Sequence, residues 1–507
     1  METDLAYSRP RKTAEQLGEL AEDRHRFLNK RILLTGEPEL LSIPNGRECL
    51  LNSIRLAVRI CPNVVVYVGS ENDALRAETE GLADGIAFGK KVEFLRDVPD
   101  FSQFDAILSI GIKARPGLPW TIINSNGFLA RVSSGVADIP GPCDIYNPIG
   151  ALAAACLGIG EVFKRLVRLK GERGTMLNGF SFSLRNYTES PADYGPTIPE
   201  SLPYDLLVVG AGAIGNGIIH LISRLPFTGT ITVVDREEYG RENLGTCILM
   251  APDDSEKSKS TRLASILNNC GIRANGFAGT FERYARDLQQ FPQIVLNALD
   301  NIDVRHEVQR TLWPNIAIDG AIGDFMCQVS RHPWPDDIAC LICLFQQQPS
   351  RPAEDVQSDV TGLSKVRLQN PNAVVTGDDV KAAPPDKRDV LKSHVGQPIC
   401  SVVEHAMAQK ISSEQQSADF EPSVPFVACF SACMVMTEAL AYLCDWGTKL
   451  EPRFQFDFLF GPAFGLELPQ SRKQICICGR KRNIERLRAL HGLSYAVGTN
   501  VGKPVTK

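Results

Sequence analysis

Little in this 507-residue chain is of one charge. Its 54 Lys and Arg face 59 Asp and Glu, a net of −5, so no broad field draws it toward nucleic acid or an anionic membrane. No apolar run reads as long enough to span a bilayer. The opening residues METDLAYSRPRKTAEQL lack the apolar core of a secretory signal, so the expected address is the cytoplasm. With 44% hydrophobic and 22% charged residues, the composition is that of a folded globular protein. The first half also lacks a glycine-rich phosphate loop. Its first apolar run, Ile32-Leu-Leu-Thr-Gly36, continues into Glu37-Pro38-Glu39, which cannot cradle a phosphate well.

What the chain does have is length and cysteine. At roughly 150 residues per domain it holds about three domains, or two large ones. Nine of its fifteen cysteines fall into two groups. Cys156, Cys270, Cys429, Cys433 and Cys444 lie in apolar helical stretches and read as small hydrophobes in a reducing compartment. Cys340 and Cys343 (CLIC) and Cys476 and Cys478 (CICG) are tight pairs. Thiolates at i and i+3 converge on one metal, and two such knuckles give a tetrahedral four-sulfur site for structural Zn²⁺.

Apolar runs at Ile32–Gly36, Val64–Val68, Ala106–Ile110 and Trp120–Ile123 read as buried strands, and helices are expected over 11–30, 48–60 and 149–169. Along the last of these, Leu152, Ala155, Cys156, Ile159, Val162, Phe163 and Leu166 share a face. Strand–helix alternation implies a parallel, doubly wound sheet. Residues 171–203, rich in Gly, Ser, Thr and Pro, mark a boundary, after which the pattern restarts at Leu206–Val209. The expected fold is α/β, with two Rossmann-like halves: residues 1–190 and residues 203–507. Residues 346–425 are polar and too long for an ordinary loop, so they read as a functional insertion. An apolar helix follows over 425–443, then a strand at 454–458 and a flexible tail over the last dozen residues.

The loop Gly210-x-Gly212-x-x-Gly215 follows a strand and opens a helix. Its glycines permit a tight turn and close backbone approach, and the helix N-terminus attracts phosphate. Asp235, about twenty residues on at the end of the next strand, is placed to accept from ribose hydroxyls. These features indicate an adenine nucleotide without separating NAD from ATP.

The residues that follow do separate them: Asp235-Arg-Glu237, then Glu242-Asn243-Leu244, then Asp254-Ser-Glu-Lys257-Ser-Lys259, Leu299-Asp300-Asn301 and the first cysteine pair. This ordered series resembles the ThiF/MoeB/ubiquitin-activating enzyme superfamily over residues 204–345 and 426–480. The resemblance implies an ATP site in which Asp235, Glu237 and Asn243 serve ribose and phosphate. Lys257 and Lys259 would meet phosphate charge, Asp300 would hold Mg²⁺, and the four cysteines would clamp zinc. It also implies adenylation of the C-terminal glycine of a ubiquitin-like protein. In the thioester-forming members the nucleophilic cysteine lies between the zinc CxxC and the closing helix, where this chain has Gln397-Pro-Ile-Cys400-Ser401. A helix beginning near Ser401 would favour the thiolate, with His405 about one turn on. A conjugating enzyme is the implied acceptor.

The chain departs from the family mildly in the glycine loop, at Ala213-Ile214, and in the CxC spacing of Cys476 and Cys478, and more sharply after Asn-Leu. An arginine is usual two residues after Asn-Leu, and Thr246 stands there. Arg241 and Arg262 are candidate substitutes. Tyr7-Ser8-Arg9 resembles the N-terminal segment that delivers an arginine from a partner half. A degenerate half, an active half and a cysteine-bearing insertion in one chain resemble the activating enzymes of bacterial antiphage, Bil-type, operons. Self-association as a homodimer stays open. A sulfur-carrier adenylyltransferase, a pseudoenzyme scaffold and an NAD-dependent oxidoreductase are the competing readings, and the last leaves the cysteine pairs, Lys259 and Asp300 unexplained.

Overall fold

A computed structural model describes residues 5–490 apart from 70–71, 143–144, 289–291, 312–313, 324, 334–337, 346–352, 371, 404, 407–422, 448–450, 469–470 and 474–475. The tail expected over the last dozen residues lies outside the described residues. The chain forms two compact units: residues 1–345 with 422–507, and residues 346–421.

The larger unit carries two eight-stranded sheets. The first comprises β1 (Ile32–Gly36), β2 (Val64–Tyr67), β3 (Glu93–Phe94), β4 (Ala106–Ile110), β5 (Trp120–Asn126), β6 (Leu129–Ser133), β7 (Phe180–Ser183) and β8 (Thr188–Glu189). The second comprises β9 (Leu206–Val209), β10 (Ile231–Asp235), β11 (Ala274–Ala278), β12 (Ile294–Asn297), β13 (Ile316–Gly323), β14 (Met326–Pro333), β15 (Arg453–Asp457) and β16 (Gly461–Leu468). The spatial orders are β3-β2-β1-β4-β5-β6-β7-β8 and β11-β10-β9-β12-β13-β14-β15-β16. The second order is the first repeated eight strands later. In each sheet the five strands at one end run parallel and the rest are antiparallel.

The sheets are thus mixed, where strand–helix alternation implies parallel ones. β14 shows why. Its sequence MCQVSRHP alternates poorly, because Gln328, Ser330, Arg331 and His332 are all buried. Each has a partner: Gln328 accepts from Arg453 and Gln455, Ser330 bonds His332 and Arg331 pairs with Glu438. Polar residues satisfied inside a core hide a strand from a hydropathy reading.

The helices and helical turns that frame the sheets of the larger unit begin with α1 at Ser8–Gln16, α2 at Pro44–Ile60 and α3 at Asp73–Ile86. They continue with α4 (Pro148–Val167), α5 (Ala213–Ile222), α6 (Lys259–Asn269), α7 (Ile302–Thr311) and α8 (Leu341–Leu344). The closing helix α9 spans Pro425–Leu443. The helix expected over 11–30 is shorter: α1 ends at Gln16 with Leu17 as its C-cap, Gly18 takes a positive φ of +57°, and only 3₁₀ turns follow up to residue 30.

α4 and α9 pack against each other, with Phe163 and Phe426 rings 5.8 Å apart. Every residue of α4 except Arg165 is buried, and α9 is buried from Pro425 through Ala441. By length and composition α9 is apolar enough to cross a membrane, contrary to the sequence reading, but 89% of its apolar window is buried inside this fold. A helix hydrophobic all round belongs in a core as well as in a bilayer.

Specific polar contacts join the halves. Arg59, fully buried on α2, donates to the carbonyls of Cys247 (3.1 Å) and Met250 (2.9 Å). His220 Nε2 bonds Asn52 Oδ1 at 2.8 Å, and Tyr187 donates to Glu438 at 2.8 Å.

Candidate functional site

The site is built at the carboxyl ends of the parallel strands of the second sheet, where β9 turns into α5. Each loop glycine meets a different constraint. Gly210 holds φ at +97°, and a Cβ there would lie 2.5 Å from the Ala298 carbonyl. A Cβ on Gly215 would lie 2.1 Å from the Gly210 carbonyl, so glycine lets α5 close onto the loop. Gly212 has nothing within 4 Å and an ordinary φ of −73°. Its missing side chain serves open space. Asn216, fully buried, donates to the carbonyls of Ala211 (2.9 Å) and Gly212 (3.0 Å) and bonds Tyr239, fixing the loop from below.

Asp235 ends β10. Its carboxylate accepts from the amides of Ala211 (2.6 Å) and Glu237 (2.7 Å), yet burial pushes its pKa above the usual range. Lys259, at the start of α6, is 5% exposed and donates to Glu237 at 2.7 Å. Burial works against the Lys259 charge, but Cys247, Glu237 and Asp235 together raise its pKa. Burial acts upward on Glu237 as well, and the Lys259 hydrogen bond and charge outweigh it and lower the pKa. Lys259 is therefore a charged ammonium held among carboxylates beside the loop.

Not every expected residue joins them. Lys257 turns to Asp254 at 3.0 Å and is 53% exposed. Arg262 is bound to the same carboxylate at 2.7 Å, which commits it away from the loop. Asn243 is buried, and its side chain accepts from the Gly240 amide, capping the turn at 241–245. Thr246 faces inward at 1% exposure. α1 approaches instead: a Cβ on Gly245 would meet the Ala6 carbonyl at 2.6 Å. Arg9 on α1 interacts electrostatically with Glu242, Asp300 and Glu237, while burial lowers its pKa. Arg9 is thus within electrostatic reach of two acidic site residues, Glu237 and Asp300.

Asp300, just past β12, is exposed. Asn301 caps α7, accepting from Asp303 (2.8 Å) and Val304 (3.2 Å). A single exposed carboxylate at a strand end suits a hard cation bound jointly with phosphate oxygens. Sequence reasoning missed Asn216, Arg305 and Asp319. The signal for Asn216 was a polar residue on the buried stripe of an apolar helix.

The matched strand registers show which residues of the first half stand at the corresponding strand ends. Ile32, Val64 and Ala106 stand side by side as Leu206, Ile231 and Ile294 do. Counting on, Gly36 matches Gly210, Val68 matches Asp235 and Ile112 matches Asp300. The first half therefore has valine and isoleucine at the two carboxylate positions. Its loop carries Glu37, whose Oε1 accepts from the Ile112 amide at 2.9 Å and so takes up the strand end itself.

Cys340, Cys343, Cys476 and Cys478 bring their sulfurs within 4.8 Å of one another. Cys340 and Cys476 lie 3.6 Å apart, and Cys343 and Cys478 lie 3.4 Å apart. The short CxC knuckle closes the set as well as a CxxC would, and the cluster could hold zinc.

The smaller unit has its own apolar cluster, including Leu363, Leu368, Val375, Leu391, Ile399 and Val402. Residues 399–403 are helical, and Cys400 lies in their first turn, exposed between buried Ile399 and Val402. His405 is exposed and pairs with His394, ring centroids 5.4 Å apart.

The family model for ThiF matches residues 202–476, more than half of the chain. The chain belongs to the ThiF family. A search of curated proteins finds no match. Among solved structures, E. coli MccB with MccA-N7isoASN aligns over 55% of this chain and 67% of that one, at 13% identity and a TM-score of 0.36. E. coli MccB with ATP aligns over 55% and 68%, at 12% identity and a TM-score of 0.36. MccB with AMPCPP and MccA aligns over 55% and 67%, at 14% identity and a TM-score of 0.38. The ThiF match begins just before β9 and ends at Cys476, so it takes in the glycine loop and three of the four cysteines.

Proposed function

We propose that this ThiF-family chain activates a ubiquitin-like protein in the cytoplasm. A carboxylate oxygen of its C-terminal glycine attacks the α-phosphorus of ATP, and pyrophosphate leaves. The Cys400 thiolate then attacks the acyl carbon, AMP leaves, and the thioester passes to a conjugating enzyme. Membership of the ThiF family supports the first step, ATP-dependent adenylation of a substrate. The observation that carries the reading is the gathering of Asp235, Glu237 and Lys259 around one glycine loop, with Arg9 coupled to Glu237 and Asp300.

Each residue has a physical role. Gly212 leaves room for phosphate, and the start of α5 presents backbone amides toward it. Asp235 and Glu237 offer acceptors to ribose. Lys259, with Arg9, meets the charge that develops as pyrophosphate departs. Asp300 would hold Mg²⁺, which neutralises triphosphate charge when bound. The four cysteines would hold structural zinc, and Cys400, exposed in a first helical turn, is open to acyl transfer. The single competent half and the cysteine-bearing insertion agree with the antiphage-type activating enzymes that the sequence resembles.

The test is a non-reducing gel of the chain with ATP, Mg²⁺ and a candidate ubiquitin-like protein, beside Cys400→Ala. A reductant-sensitive, ATP-dependent adduct absent from the variant is expected. ATP–pyrophosphate exchange without any adduct would overturn the thioester step and move the assignment to a sulfur-carrier adenylyltransferase.

A further inference from the structure

Five residues past Asp300, Arg305 projects from α7 with 5% of its surface exposed. Its guanidinium is shared among four partners. Nη1 donates to the Asp300 carbonyl at 3.3 Å, and Nη2 donates to the Gly320 carbonyl at 3.4 Å. Nε donates to Asp319, fully buried at the end of the parallel part of β13, at 3.1 Å. The guanidinium carbon lies 4.3 Å from the centre of the Phe345 ring. Asn297 gives Asp319 a second hydrogen bond, so the buried carboxylate is itself fixed.

Phe345 is equally constrained. It stands two residues past Cys343, its amide donates to Leu341 at 2.9 Å, and its carbonyl bonds His306. Gln309 accepts from the Leu341 amide at 2.9 Å. Arg305, His306 and Gln309 of α7 thus grip the first cysteine knuckle, and one of them reaches back to the Asp300 turn. That turn is exposed. That carbonyl belongs to the backbone unit that carries the Asp300 side chain, and a single hydrogen bond from an arginine held by three further contacts anchors that unit.

We propose that Arg305 is the positioning residue of the Asp300 carboxylate, with Phe345 beside the cysteine knuckle as the plate that holds it. The proposal rests on the adenylation reading above and adds to it a residue that touches neither nucleotide nor metal. The zinc knuckle then does more than close the C-terminal region: it supports the group expected to meet the cation.

The test uses the full-length chain and Mn²⁺ as a probe, with protein-bound Mn²⁺ counted by equilibrium dialysis against Mn²⁺ and ATP and its electron paramagnetic resonance compared with that of the Mn²⁺–ATP complex alone. ATP binding without divalent cation, zinc content and thermal unfolding are measured alongside. Arg305→Lys is expected to weaken Mn²⁺ binding to the ATP-bound chain about tenfold or more, as loss of an outer-shell partner does. ATP binding without divalent cation and zinc content should stay within twofold. Phe345→Leu should act in the same direction, and the double variant should be no weaker than Arg305→Lys alone. A normally folded Arg305→Lys protein that binds Mn²⁺ within twofold of wild type overturns the proposal. Should that variant unfold, a wild-type Mn²⁺ affinity in Phe345→Leu overturns it. A wild-type chain that gains no Mn²⁺ site with ATP would instead sink the adenylation reading itself.

Discussion

Replacing Gly212 with valine and, separately, Gly215 with alanine should split ligand binding from folding. Gly212 lies at φ −73° and ψ −154°, a backbone any residue adopts, and a Cβ there would have no protein atom within 4 Å. Gly212→Val should therefore meet no steric cost and lose only a favourable N-cap residue of α5, about 1 kcal/mol. Its side chain would stand in the space left for phosphate, and ATP affinity should fall at least about tenfold, ~1.4 kcal/mol. Gly215→Ala has the opposite profile. Its Cβ would lie 2.1 Å from a backbone oxygen, so α5 must move off the loop. Overpacking costs typically about 1–3 kcal/mol, and the better helix propensity of alanine offsets about 1 kcal/mol of that. Urea unfolding midpoints and calorimetric titration with ATP read the two effects. A Gly212→Val protein that binds ATP like wild type would refute the phosphate cradle. One destabilised well beyond that N-cap loss would refute the claim that this space is open.

Other outcomes follow from the packing. His220 is buried against Asn52, and burial, with Arg55, Arg224 and Arg59 nearby, depresses its pKa well below 6.5. The folded ring stays neutral while the unfolded chain takes up a proton, so stability present above pH 6.5 is lost as pH falls, by about 1.4 kcal/mol per unit. Urea midpoints between pH 7 and 5 should show this slope, and His220→Gln should flatten it. Glu438→Ala removes a carboxylate from Arg331, where both side chains are at most 5% exposed, and should destabilise by about 3–5 kcal/mol in the same assay. Cys478→Ser should drop bound zinc, measured by elemental analysis, and lower the thermal transition, because four sulfurs share one site.

The glycine loop, Asp235 and the cysteine pairs were legible in the sequence because each depends on local chemistry: a turn, a strand end, a knuckle. Lys259 was legible only from its place in an ordered series, since a lysine alone has no signature. Arg9 lies more than two hundred residues from the loop it approaches, and only the packing of α1 against the 241–245 turn brings it there. Lys257 and Arg262 were plausible by spacing. Asp254, with its side chain 2% exposed, claims both, and a buried carboxylate outcompetes a distant ligand site for nearby cations. That the chain holds two related halves was legible where the strand–helix pattern restarts after residue 203, but the identity of their strand orders was not. Two sequences that share only which positions are buried need share no motif.

The duplicated sheet has a thermodynamic consequence. α1 is covalently joined to the half whose loop it approaches, so its Arg9 is present at an effective concentration set by the chain itself. Two separate copies making the same contact would part on dilution, and each would have to keep both roles in one sequence. Here the first half carries Val68, Ile112 and Glu37 where the second has carboxylates and a glycine loop, so one chain holds two different strand-end chemistries on the same sheet order.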